Sequence, residues 1–201
     1  MNILAPIPPY LAIWAGLFLF KNAWVTLIGF HLAIFLTLAV IRPSLPVHIL
    51  SKSKSPGWIF ISALIGSTSG IGLYFFWDVF GFTHDLPAQL QSIGLTPSSW
   101  FGFIAYFSLI NPWVEEYFWR GAAGNDTKKL HVMDIVFAGY HALVLWGRVD
   151  PFFITLAVII LVSAGWIWRQ ISREDGGLLA AVLGHMVADF SILMTLYWKC
   201  N

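Results

Sequence analysis

Residues 22 to 41, NAWVTLIGFHLAIFLTLAVI, contain no Asp, Glu, Lys or Arg. A helix of about 20 such residues rises far enough to cross the hydrocarbon core of a bilayer, and a segment apolar on every side has lipid as its natural surroundings. The pattern recurs, giving about seven segments of the necessary character at residues 3–20, 22–41, 58–77, 99–120, 132–147, 151–168 and 178–198. The chain is therefore expected to be all-α, a polytopic transmembrane helical bundle of about seven helices, with residues 1–201 forming a single integral membrane domain and its chemistry concentrated between about 99 and 198. Composition agrees: 58% of residues are hydrophobic and 10% are charged, whereas a soluble domain carries about 25% charged residues.

Local punctuation supports the boundaries. RPSLP follows the second segment, TPSS places serines as caps before the fourth, Asp150-Pro151 reads as a cap with proline in the first turn, and EDGG separates the last two. Pro6, Pro8 and Pro9 break the start of the first segment and leave open whether residues 3–20 span fully. The opening MNILAPIPPYLAIW lacks a cationic n-region and reads as mature chain. A net charge of +1 without a dense Lys/Arg cluster excludes a nucleic-acid partner and leaves membrane lipids as the surroundings. Cys200 is the only cysteine, so neither a disulfide framework nor a cysteine metal site is available.

Cations set the orientation. With the N-terminus in the cytoplasm, Arg42, Lys52, Lys54, Arg120, Lys128, Lys129, Arg169 and Arg173 fall inside, and Lys21, Arg148 and Lys199 outside. The stretch from Asp78 to Ser99, without Lys or Arg, then lies on the outer side. Counted inward from the cytoplasmic ends, Glu115, His141 and His185 on three separate segments all lie roughly 9 to 14 Å deep. Ionisable groups at one depth on several helices point to a site.

Spacing adds chemistry. Glu116 and Arg120 are i and i+4 with the acid first, the favourable order for an ion pair. Glu115 projects about 100° away and is free to serve another partner. His185 and Asp189 repeat the i, i+4 spacing, which lets a carboxylate orient an imidazole. Phe137 lies one turn from His141, and Asn111 one turn before Glu115 as a second donor. Plainer readings stand beside these: a snorkelling Glu116–Arg120 pair, a hydrogen-bonded core His141, and a His185–Asp189 clamp between helices. His31 reads as a lone imidazole in an apolar helix, while His48, His84 and His131 fall in or beside loops and are set aside. Asp134 reads as a dipole partner near a helix start, and Trp113, Tyr117 and Trp119 as packing or interfacial aromatics.

In EEYFWRG, FAGYH and HMVAD the chain carries EExxxR, FxxxH and HxxxN/D in order, inside hydrophobic segments. With these motifs it resembles the CAAX-protease and bacteriocin-processing family of intramembrane peptidases, which includes the type II CAAX prenyl endopeptidases. The resemblance spans roughly the second half of the chain and implies an endopeptidase. It assigns Glu115 as the base that activates water, His141 as its assistant or the polariser of substrate, and His185 with Asp189 to the oxyanion, with the remaining motif residues Glu116, Arg120 and Phe137 in support. Many relatives have Asn where Asp189 stands, so Asp189 either is protonated or only orients His185. The implied substrate is a peptide or protein, prenylated or not.

No cofactor is favoured, but zinc held by Glu115, His141 and His185 is an open alternative, although no HExxH spacing is present. Outside enzymology, a membrane scaffold or bacteriocin-immunity protein and a proton-coupled carrier using Glu115 and His141 are the alternatives. A carrier more often shows paired half-bundles or interrupted helices.

Overall fold

A computed structural model describes residues 4–201. Among these residues the secondary structure is helical and no strand is present, apart from an isolated bridge between Phe82 and Val149. Helix α1 (Ile7–Trp14) continues as a π-helical turn over Ala15–Leu19, and α2 spans Ala23–Ile41. Helix α3 (Pro56–Phe75), the short α4 (Leu86–Ser92) and α5 (Trp100–Glu116) follow, and α5 runs on as a π-helix over Tyr117–Ala122. The chain closes with α6 (Val132–Gly139), α7 (His141–Leu145), α8 (Pro151–Asp175) and α9 (Leu179–Cys200).

Four helices, α2, α3, α8 and α9, are long and apolar enough to cross a membrane. Their outward faces carry exposed large apolar side chains such as Leu36, Phe60, Ile160 and Phe190. In water such surface would be a liability, whereas in lipid it is the expected exterior. Helix starts follow the local chemistry: Asn22 accepts from the Val25 amide at 3.0 Å, Ser55 from Gly57 at 3.2 Å and Asp150 from Phe152 at 2.9 Å. Ser99 is the exception to the expected caps. Its hydroxyl accepts from the Thr96 amide and donates to the Gly94 carbonyl, organising the turn before α5 and not the first amides of the helix.

The stretch 132–147, read from sequence as one helix, is two. Tyr10 donates its hydroxyl to the Val136 carbonyl at 2.5 Å, taking the acceptor that would otherwise continue the ladder at Tyr140. Gly139 permits that approach, because a Cβ there would stand 2.6 Å from the Tyr10 hydroxyl. The segment expected to end at 168 instead runs to Asp175, and Gly176 ends it in the left-handed conformation at φ 65°. The first segment is also shorter than the range 3–20. Its described helix begins at Ile7, after Pro6, and belongs with the shorter apolar helices.

The closest pairing is α3 on α9. Gly66 lies against the Gly184 carbonyl so tightly that a side chain has no room, and Gly70 packs likewise on Ser191. Helix α5 also packs on α9, and α6 on α8. These contacts bring the three motif-bearing stretches together in the middle of the bundle. At one end, α4 closes over the core through Leu86 and Leu90, and Gln89 donates to the Gly147 carbonyl at 3.1 Å. At the other, Asp175 accepts from the Lys54 amide at 2.7 Å and Arg169 gathers the turn before α6.

Candidate active site

The site begins with a helix that departs from regular geometry twice. Pro112 inside α5 has no amide to give the preceding turn, and from Tyr117 the hydrogen bonds lengthen to the π pattern, as in the Ala123 amide to the Phe118 carbonyl at 2.8 Å. Between these two irregularities stand Glu115 and Glu116, 1% and 0% exposed. Carboxylates that deep need partners.

Glu115 accepts a hydrogen bond from the Tyr140 hydroxyl at 2.6 Å through Oε1. Tyr140 sits at the break between α6 and α7 and stacks on the His141 ring, with centroids 4.0 Å apart. Glu116 has two cationic or potentially cationic neighbours. Its Oε1 lies 3.1 Å from Arg120 Nη1, the i, i+4 ion pair, and 2.9 Å from His185 Nδ1 on α9. The other ring nitrogen of His185 stands 3.4 Å from Asp189 Oδ1. His185 is thus flanked by carboxylates at both nitrogens.

Glu116 therefore serves Arg120 and His185 together, while Glu115 accepts from Tyr140 at the α6–α7 break and also lies within electrostatic reach of His185.

Phe137 holds the cluster together. It is 1% exposed, its ring carries the Arg120 guanidinium at 3.8 Å, and its edge contacts both the His141 and the His185 rings, with centroids at 5.4 and 6.2 Å. Trp168 stacks on His185 with centroids 5.1 Å apart. Asn111 donates to Asp189 Oδ2 at 3.3 Å. The structure therefore gathers Glu115, Glu116, Arg120, Phe137, His141, His185, Asp189 and Asn111 around one buried polar cluster.

Sequence reasoning passed over Tyr140, Trp168, His31 and the pairing of Arg169. The last is a structural device beside the site. Its guanidinium donates to Asp134 through Nε at 2.9 Å and Nη2 at 2.7 Å, and also to the carbonyls of Thr127 at 2.5 Å and Lys129 at 2.8 Å. Asp134 accepts from the His131 amide as well, so the expected dipole partner is also half of a buried bidentate pair.

Several atoms in the cluster lack a partner. Glu115 Oε2, Glu116 Oε2 and His141 Nδ1 are buried with no hydrogen bond, and the terminal nitrogens of Arg120 are paired by charge and ring contact without one. Buried polar atoms in this condition call for a small polar guest. A cavity of about 370 Å³ lies between the Tyr117–Asp126 stretch and the end of α8, lined among others by Arg120, Gly124, Arg169 and Leu178. Glu115, His141, His185 and Asp189 do not line it. Arg120, held inward by Glu116 and Phe137, is the motif residue common to cavity and cluster.

The zinc alternative fits this arrangement poorly. Among the described residues no three His, Cys, Asp or Glu side chains are placed to hold a metal ion. The donor atoms explain it: His185 presents its two nitrogens to Glu116 and Asp189, and Glu115 Oε1 is taken by Tyr140.

Neither a curated protein nor a solved structure matches the chain. A model of the family described as type II CAAX prenyl endopeptidase, Rce1-like, matches residues 97–191, the stretch containing EExxxR, FxxxH and HxxxD. Residues 97–191 of this all-helical integral membrane protein are thus similar to the Rce1-like family of type II CAAX prenyl endopeptidases.

Proposed function

We propose that the protein is an intramembrane endopeptidase in which Glu115 activates the attacking water. The observation that carries this reading is the asymmetry of the Glu115 carboxylate. Oε1 is fixed by the Tyr140 hydroxyl, while Oε2 is buried and unpaired; Tyr140 in turn stacks on His141, whose Nδ1 is also unpaired. One oxygen positions the group and the other remains free to take a proton.

In the proposed reaction a water donates one proton to Glu115 Oε2 as its oxygen attacks the scissile carbonyl carbon. Carbonyl electrons move to the oxygen, and the resulting oxyanion draws on the cationic side of the cluster, Arg120 and His185. His141, stacked on Tyr140, orients the water. When the C–N bond breaks, Glu115 returns its proton to the leaving amine, so the enzyme ends as it began. Asp189 holds His185 in place. No step needs a metal.

The substrate class suggested by the family description is a peptide with a prenylated cysteine near its C-terminus. Apolar flanks on α2, α3 and α8 suit a lipid-linked substrate, and the cavity bordering Arg120 is proposed as the aqueous approach, at the end whose excess of cations favours a cytoplasmic position. The test is hydrolysis of a farnesylated CAAX peptide by the detergent-purified chain. Release of the C-terminal tripeptide supports the reading, and an intact peptide after prolonged incubation, with unprenylated controls equally intact, counts against it.

A further inference from the structure

His31 lies on α2, outside the motifs and outside the matched residues, yet it is 3% exposed and hydrogen-bonded at both ring nitrogens. Nδ1 stands 3.2 Å from the Tyr106 hydroxyl and Nε2 stands 3.0 Å from Asn111 Oδ1. Asn111 in turn places Nδ2 3.3 Å from Asp189 Oδ2, and Asp189 faces His185. We infer that His31 is a positioning residue for the proposed hydrolysis, acting through Asn111 to hold Asp189 against His185.

Donor and acceptor chemistry fixes the direction of this chain. An ionised carboxylate only accepts, so the amide nitrogen of Asn111 must face Asp189 and its carbonyl must face His31. That carbonyl needs a donor, which puts the proton of neutral His31 on Nε2. Nδ1 is then the acceptor, and the Tyr106 hydroxyl supplies the donor. Every hydrogen bond from Tyr106 through His31 and Asn111 points its donor toward Asp189. This alignment also gives α2 a part in the site.

The inference rests on the peptidase reading for its functional half, so the experiment has two arms on the full chain in detergent. In the spectroscopic arm, histidine labelled with heavy nitrogen reports the His185 ring resonances in wild type, His31→Leu and His31→Gln. Glutamine at this position can still donate to Asn111, and leucine cannot. The His185 nitrogens should shift in His31→Leu and stay near wild type in His31→Gln. In the kinetic arm, on the farnesylated CAAX peptide, His31→Leu should lower kcat about 10- to 100-fold with KM nearly unchanged, the size expected when an indirect partner of a reacting group is removed. His31→Gln should recover most of that loss.

Unmoved His185 resonances in a His31→Leu protein that melts like wild type would overturn the relay. So would a His31→Gln protein as impaired as His31→Leu. If His31→Leu does not fold, Tyr106→Phe replaces it: loss of the Nδ1 donor should shift the same resonances, and their constancy would overturn the relay. Because the spectroscopic arm needs no substrate, a wild-type chain that cleaves no peptide would count against the peptidase reading while the relay is still decided by the resonances.

Discussion

Glu116 on α5 and His185 on α9 meet through Oε1 and Nδ1 at 2.9 Å, across 69 positions of sequence, and the same oxygen lies 3.1 Å from Arg120. One carboxylate therefore ties the first motif to the last. Glu116→Gln should lose stability, because it leaves a buried guanidinium without its counter-charge, a type of change that costs about 3 to 5 kcal/mol. It should lose activity as well through misplacement of His185. Melting curves and peptide turnover on the same preparation check both, and a variant that melts and turns over like wild type would refute the linkage.

Tyr140→Phe isolates the positioning of Glu115. Phenylalanine keeps the stacking on His141 but removes the donor 2.6 Å from Glu115 Oε1. The buried acceptor left behind should cost about 1 to 3 kcal/mol. Turnover should fall further than that loss of stability explains, with kcat reduced about 10- to 100-fold, the range for removal of an indirect partner. Steady-state kinetics well below the melting temperature of the variant separate the two effects.

Arg169 and Asp134, 3% and 4% exposed at their side chains, make a prediction about folding alone. Arg169→Met should destabilise by about 3 to 5 kcal/mol, since it strands Asp134. It should also release the carbonyls of Thr127 and Lys129 and expose the 123–131 turn to protease. Asp134→Asn combined with Arg169→Met should cost less than the sum of the two single changes, which a double-mutant cycle on melting curves can show.

Metal removal tests the chemistry of the cluster from another side. Since the ring nitrogens of His185 face carboxylates and Glu115 Oε1 faces Tyr140, turnover should persist after exhaustive chelation. Loss of turnover with recovery on added zinc would establish a metal mechanism in its place.

Much of this site was legible in the chain because α-helices repeat. The i, i+4 spacings put Glu116 beside Arg120 and His185 beside Asp189, and both pairs stand within ion-pair distance. Adjacent positions were harder. Whether Glu115 or Glu116 meets His185 depends on how α5 crosses α9, which no local spacing encodes. Tyr140 was hidden for a related reason, since its direction is set at a helix break that Tyr10, 130 positions earlier, helps to make. His31 looked like a solitary imidazole because its partners, Tyr106 and Asn111, lie 75 and 80 positions away. The fold itself was easier to read, since lipid demands long apolar helices and the sequence spells them out. Interruptions such as the α6–α7 break leave a fainter mark.

The most direct test of the account is turnover by wild type and Glu115→Gln in heavy-oxygen water, with products read by mass spectrometry. Glutamine can still accept from Tyr140 but is a far weaker base than a carboxylate, so the variant should melt within about 1 kcal/mol of wild type, the net worth of a single hydrogen bond. The account predicts that wild type places one heavy oxygen in the new carboxyl terminus, and that Glu115→Gln slows this by at least about 100-fold. A Glu115→Gln chain that is folded and cleaves the peptide at the wild-type rate would contradict it.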